Sequence, residues 1–108
     1  PKPLFVTDAA INIAPDLVAK ADIAQNAADL VRALGVPLPK IAVLAAVETV
    51  NPAMPATMDA AMLSKMAERG QITGALVDGP LAFDNAVSRA AAKTKRIESP
   101  VAGDADVL

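Results

Sequence analysis

Short apolar runs alternating with segments of helical period predict an α/β chain, a three-layer α/β/α domain on a mainly parallel sheet. Three observations carry this reading. The order of segments is β-α-β-α-β-α-β, which implies parallel strands joined by right-handed crossovers. Pro and Gly stand where helices start and stop. The stretch Leu76-Val77-Asp78-Gly79-Pro80-Leu81-Ala82-Phe83-Asp84-Asn85-Ala86 begins as an apolar strand, breaks at Asp-Gly-Pro and restarts as a helix.

Each element has its own justification. Leu4-Phe5-Val6 is a short apolar run ending at Thr7-Asp8, and is read as the first strand. Pro15 then suits the first turn of a helix, where its missing N–H costs nothing, and Asp16 favours the helix dipole. From Leu17 the positions Ala24, Ala27, Ala28, Val31 and Leu34 recur at helical spacing. Gly35 stops the helix, with Pro37 and Pro39 beyond it. The second strand is predicted over Ile41–Ala46. Pro52 and Pro55 keep the following loop out of helix, and Thr57 reads as the N-cap of the second helix. Its Met58, Met62 and Met66 lie one turn apart, a stripe expected in the core, and Gly70 ends it. The third strand is predicted over Ile72–Val77. The third helix starts near Phe83 with Phe83, Val87, Ala90 and Ala91 on one face. Its end carries Arg89, Lys93, Lys95 and Arg96, read as a solvated face that complements the helix C-terminus, with a phosphate or CoA contact as the alternative. The fourth strand begins at Ala105.

Composition bounds the function. The 108 residues make one domain, without internal repeat or linker. They are 54% hydrophobic, with positive mean hydropathy, yet only 2% aromatic. A core so poor in large anchors implies that apolar surface is meant for a neighbouring domain or subunit. The net charge of −2 offers no electrostatic case for nucleic acid. Without cysteine or histidine, disulfides, thiolate or imidazole metal sites and a Ser-His-Asp triad are excluded within this chain. No apolar run approaches a membrane span, and Pro1-Lys2-Pro3 lacks the features of a signal peptide, so a cytoplasmic location is expected. The last residues fall inside an apolar strand, which is read as a fragment or an isolated domain.

Candidate site residues lie on two loops that follow strands, since ligands of open α/β sheets bind at the carboxyl edge. One loop, after the second strand, supplies Glu48, Thr49 and Asn51. The other, at the Asp-Gly-Pro break, supplies Asp78, Gly79, Asp84 and Asn85. Local roles are the alternative for each. Asp84 or Asn85 would cap the helix after Pro80, and Gly79 would supply a turn conformation. Asp8 and Asn12 would order the first loop through side-chain-to-backbone bonds.

Longer strings make the pattern more specific. Val6-Thr7-Asp8-Ala9-Ala10-Ile11-Asn12-Ile13-Ala14-Pro15-Asp16, Val47-Glu48-Thr49-Val50-Asn51-Pro52, Arg69-Gly70-Gln71-Ile72-Thr73-Gly74 and Ser99-Pro100-Val101-Ala102-Gly103-Asp104-Ala105-Asp106 resemble the phosphate acetyltransferase / phosphate butyryltransferase family, butyryltransferase-type branch. The resemblance covers essentially every residue, but only the central part of the longer family members. It implies part of an isocitrate/isopropylmalate dehydrogenase-like fold. It implies reversible transfer of an acetyl or butyryl group between coenzyme A and inorganic phosphate, both substrates, with no cofactor and no metal, in a homo-oligomer. The alanine-rich style is similar to the transferase half of bifunctional enoyl-CoA hydratase / phosphate acetyltransferases.

What the resemblance implies for the site is narrower. The family's chief phosphate-binding arginines and serines and its proposed base match nothing here, so no catalytic residue is assigned and the chain alone is expected to be inactive. Glu48, Thr49, Asn51, Asp78, Gly79 and Asp84 match loops that wall the substrate cleft. In the acetyltransferase branch the first loop is a Ser-Thr-Lys-Gly-Ser run, whereas here it is Glu-Thr-Val-Asn-Pro. Glu48 would therefore repel phosphate unless a cation from the missing part pairs with it. Two other readings compete. A dehydrogenase-like relative would need metal-binding aspartates in an arrangement that is not found. A non-catalytic α/β binding or assembly module would use the alanine-rich faces to pack on a partner.

Overall fold

The computed structural model describes residues 2–108. Its elements are α1 (Leu17–Ala33), β1 (Lys40–Leu44), α2 (Pro55–Glu68), β2 (Leu76–Leu81), α3 (Phe83–Val87) and α4 (Arg89–Thr94). β1 and β2 pair in parallel, Lys40 opposite Leu76 and Ala42 opposite Asp78, with the register slipping between Ala42 and Leu44. Single parallel bridges join Ile41 to Val107 and Val107 to Phe5. The order across the sheet is thus Phe5, Val107, β1, β2. The predicted first and fourth strands shrink to these bridges, tied by Phe5 N–H to the Asp106 carbonyl (2.9 Å) and Leu108 N–H to the Phe5 carbonyl (2.8 Å).

Two clusters pack on opposite faces of the sheet, which makes the layers α/β/α. One joins Ala24, Ala27, Ala28 and Val31 of α1 and Leu63 of α2 to Ile41 and Val77. The other joins Ala42 and Leu81 to Ala86 of α3 and to Val101 and Ala105. The alanines of α1 sit three and four residues apart, so one stripe of small side chains lets the helix lie close on the sheet. Asp16 is its N-cap, its carboxylate accepting from Ala19 N–H at 2.8 Å. Both long helices end in the expected places with the same pair of closing bonds. Gly35 N–H reaches the Arg32 carbonyl and Val36 N–H that of Val31, while Gly70 and Gln71 repeat this on Ala67 and Met66.

Several boundaries move. The third strand is Leu76–Leu81, not Ile72–Val77. Ile72 is buried as a plug from a turn, and the Gln25 side chain takes both backbone groups of Thr73, at 2.9 Å each, which removes them from any strand ladder. Asp78, Gly79 and Pro80 therefore lie within β2 rather than in a loop. Pro80 is tolerated because β2 is the edge of the sheet among the described residues. Thr57 is not the N-cap of α2. The cap is Met54, without a side-chain bond. Thr57 is instead buried in the first turn, its hydroxyl bonding the carbonyls of Asn51 (3.0 Å) and Met54 (2.8 Å). The methionine stripe is also displaced from the core. α2 buries Thr57, Ala60 and Leu63, and of the three methionines only Met66 packs on the main cluster. The third helix breaks at Ser88, whose hydroxyl caps α4 through Ala91 N–H at 3.1 Å. The break turns Phe83 and Val87 outward and Asn85, Ala86 and Ala92 inward.

At the amino edge of the sheet, Asp104 gathers Lys2 (2.9 Å), Arg89 (3.3 Å) and Lys40, and Asp106 takes Lys2 (2.8 Å) and the Lys40 N–H (2.9 Å). The Lys40 hydrogen bond, seconded by Lys2, holds the Asp104 carboxyl down at about 2. The folded value lies below the ordinary 3.8. The stability it contributes is therefore full above 3.8 and is lost as pH falls through about 2. In urea titrations run as a function of pH, Asp104→Asn is expected to lower the midpoint at neutral pH and flatten its acid fall in that window. An acid limb identical to that of the unsubstituted chain would refute this.

Candidate functional site: a crevice between two βα loops

The connections decide where a crevice can form. β1 leads through its loop to α2 on one face of the sheet, while the neighbouring β2 leads to α3 and α4 on the other. The two loops part at the carboxyl ends of adjacent strands, the place where open α/β sheets take their ligands. The β1 loop brings Glu48 to it, and α3 brings Asp84.

Lys95, just past α4, joins them. Its Nζ lies 3.1 Å from Asp84 Oδ2, 3.2 Å from Asp84 Oδ1 and 3.7 Å from Glu48 Oε2. The hydrogen bond from Lys95, then the Asn85 N–H at 2.8 Å, holds the Asp84 carboxyl below its ordinary value. Asp84 in turn raises the Lys95 ammonium. Asp84 does not cap α3. Its N-cap is Ala82, without a side-chain bond, and Asp84 sits in the first turn.

The other predicted residues part company. Thr49 is exposed in the same loop as Glu48. Asn51 is exposed and its bonds are local, its Oδ1 accepting from Ala53 N–H at 2.9 Å while Thr57 Oγ1 accepts its N–H at 2.8 Å. Asp78 stands in mid-strand, 3.4 Å from the Ser64 hydroxyl, beside a groove of about 460 Å³ bounded by Ser64, Lys65, Glu68 and Glu98. It is not brought to the Glu48–Asp84 crevice. Gly79 lies in β2 against Val43 of β1 and Ala60 of α2, and its role is close approach rather than a turn. A Cβ there would stand 2.7 Å from the Val43 carbonyl oxygen. Asn85 is fully buried, and neither atom of its amide has a partner among the described residues. It therefore caps nothing through its side chain, although its backbone carbonyl accepts from Gly103 N–H at 2.8 Å.

Beside the crevice, on the α1 face, an apolar pocket of about 380 Å³ opens at the same edge of the sheet. Ile23, Val43, Leu44 and Leu63 line it, with Thr7, Asp8 and Lys20 as its polar residues. Asp8 shapes the adjoining loop. Its backbone is left-handed (φ 46°), and its carboxylate accepts from Ile11 N–H (3.0 Å), Asn12 N–H (3.1 Å) and the Asn12 amide (2.6 Å). Those bonds, the Asn12 side chain first, hold the carboxyl below its ordinary value. The local reading of Asp8 and Asn12 is thus the one observed. The sequence reads Lys95 with Arg89, Lys93 and Arg96 as a solvated face, but spacing offered no route to its pairing with Glu48 and Asp84, because those partners come from two other elements.

Comparison with known proteins follows the same lines. A family profile described as Phosphate acetyl/butaryl transferase matches residues 2–108. The chain is 62% identical over 105 residues to a phosphate acetyltransferase of Rhizobium meliloti, covering 97% of this chain and 33% of that one. It is 58% identical over 105 residues to a probable phosphate butyryltransferase of Bacillus subtilis, covering 97% and 35%. The fold superposes on a branched-chain phosphotransacylase from Enterococcus faecalis V583 with a TM-score of 0.85 at 40% identity, covering 95% of this chain and 37% of that one. The chain thus spans about a third of the length of the curated relatives it matches. A match over residues 2–108, with relatives this similar and a shared fold, means that the chain belongs to the phosphate acetyl/butyryl transferase family.

Proposed function

We propose that this chain forms one wall of the active crevice of a phosphate acyltransferase, which moves an acetyl or butyryl group reversibly between coenzyme A and inorganic phosphate. The family match over the whole described chain carries this reading. The gap between the β1 loop and α3, bordered by Glu48, Thr49 and Asp84, supports this reading, since open α/β sheets take ligands where loops part at the carboxyl edge. The apolar pocket beside Thr7 and Lys20 suits the alkyl or pantetheine part of an acyl-CoA, being mostly apolar with a few polar groups.

The chemistry makes three demands. Donors must hold phosphate, a base must take the proton of the CoA thiol, and a donor must stabilise the tetrahedral oxyanion. With both substrates held in line, no covalent enzyme intermediate is needed, since positioning alone lowers the barrier by several kcal/mol. The crevice offers two carboxylates and one ammonium, which cannot meet all three demands. As the family resemblance implies, the principal phosphate donors and the base come in this reading from the rest of the longer protein. Coenzyme A and phosphate act as substrates, without a further cofactor.

The same reading makes the whole protein a cytoplasmic homo-oligomer. Among the described residues no helix is long and apolar enough to cross a membrane. Ile11 (90% exposed) and Ile13 (102%) offer apolar surface for the remaining protein or a second copy.

The test is acyl-phosphate formation. The full-length polypeptide is expected to make acetyl or butyryl phosphate from the acyl-CoA and phosphate, and the isolated chain essentially none. Robust turnover by the isolated chain would overturn the placement of catalysis outside it. No turnover by the full-length polypeptide would favour a binding or assembly module.

A further inference from the structure

We propose that Lys95 is a positioning residue of the crevice. It draws the Glu48 and Asp84 carboxylates onto one ammonium and so relieves the negative charge that would turn phosphate and the CoA phosphates away. This rests on the phosphotransacylase reading above. Two carboxylates alone would set a charge of −2 at the mouth of a site for anions. With Lys95 seated against both, at 3.1 and 3.7 Å, the trio carries −1 and its charges are paired. The cation that Glu48 needs thus comes from within this chain.

The geometry favours a fixed post over a wandering surface lysine. Lys95 closes α4, its N–H bonding the Ala91 carbonyl at 3.1 Å. The helix is held at its other end by the Ser88 cap and against the sheet by buried Ala92. The side chain keeps only 35% of its exposure and grips both oxygens of Asp84. It therefore ties the β1 loop to α3 across the point where they diverge. Ion pairs this exposed contribute little to folding. The field at the mouth is another matter, because removing one unit of charge a few ångströms from an anion is felt directly by that anion.

Lys95→Met in the full-length polypeptide, with inorganic phosphate and acyl-CoA as substrates, tests this. KM for phosphate is expected to rise about tenfold at low ionic strength, with a smaller fall in kcat. The difference should shrink as salt is raised, since the charges lie near solvent. Lys95→Arg should restore KM, because it keeps the charge. Adding Glu48→Gln to Lys95→Met should recover most of the loss. The melting temperature should move little in every variant. An unchanged phosphate KM overturns the proposal. So does a rise that neither salt nor Glu48→Gln reduces, which would mark Lys95 as a purely structural tie. If the unsubstituted polypeptide makes no acyl phosphate, the phosphotransacylase reading falls and takes this one with it. If it is active and Lys95→Met behaves like it, only the role of Lys95 falls.

Discussion

Gly103→Ala is expected to destabilise the chain by about 3 kcal/mol or more. Two costs combine. Gly103 has φ 77°, a left-handed conformation that an L side chain resists. A Cβ there would also lie 2.6 Å from Arg89 Cα and 2.8 Å from Arg89 N. Both contacts are with backbone, so no rotamer change relieves them. α4 would have to lift from the segment that follows it, and the Gly103 N–H bond to the Asn85 carbonyl would stretch with it. Because Lys95 stands at the end of α4, the crevice would lose its shape too. Gly35→Ala is the control. Gly35 has φ 107° but nothing within 4 Å, so only the conformational cost of about 1 kcal/mol remains. Urea unfolding of the two variants separates strain from overlap, and equal losses would refute the close-approach argument.

Gly79→Ala is expected to cost about 2–3 kcal/mol, and to damage the site as well as the fold. Here the backbone is not left-handed. The added Cβ would meet the Val43 carbonyl oxygen at 2.7 Å, and Val43 Cβ and Ala60 Cβ at 3.0 Å. Gly79 faces the irregular register between Ala42 and Leu44, so β1 and β2 would be pushed apart where their loops begin to diverge. Glu48 and Asp84 follow directly from those two strand ends. In the full-length polypeptide kcat/KM should therefore fall together with the melting temperature. Adding Ala60→Gly should recover only part of the stability, because the closest contact is a backbone oxygen. Full recovery would show that helix α2, and not the sheet, is what Gly79 accommodates.

The Asp-Gly-Pro stretch shows where sequence reasoning reached its limit. Turn residues in a row read as a loop, since Gly and Pro usually punctuate. In the fold they continue an edge strand, because an edge tolerates a residue without an N–H and a neighbouring backbone leaves no room for a side chain. Ile72 misled in the opposite sense. An isolated apolar residue beside Thr73 looks like the start of a strand, yet Gln25, distant in sequence, satisfies the Thr73 backbone and leaves Ile72 as a plug.

Local chemistry determined much by itself. The periodic alanines of α1 and the Gly35 and Gly70 stops are interactions within a few residues, so the pattern of letters was enough to place the body of α1 and the ends of both long helices. Their starts moved, Asp16 capping α1 where Pro15 was expected in the first turn, and Pro55 rather than Thr57 opening α2. The same short range made the alternation of strands and helices legible, and with it the parallel sheet and the positions of Glu48 and Asp84 after their strands. Tertiary structure decided the rest. Asp78 was separated from Asp84 because strand continuation, not turn propensity, governs that stretch. The break at Ser88 turned Phe83 out and Asn85 in. Above all, Lys95 met Glu48 and Asp84 only because β2 hands the chain to the opposite face of the sheet from β1, and the helix pair it enters returns Lys95 to the gap. An ion pair between residues so far apart in the chain depends on the path of the backbone through space, which no local spacing of charges encodes.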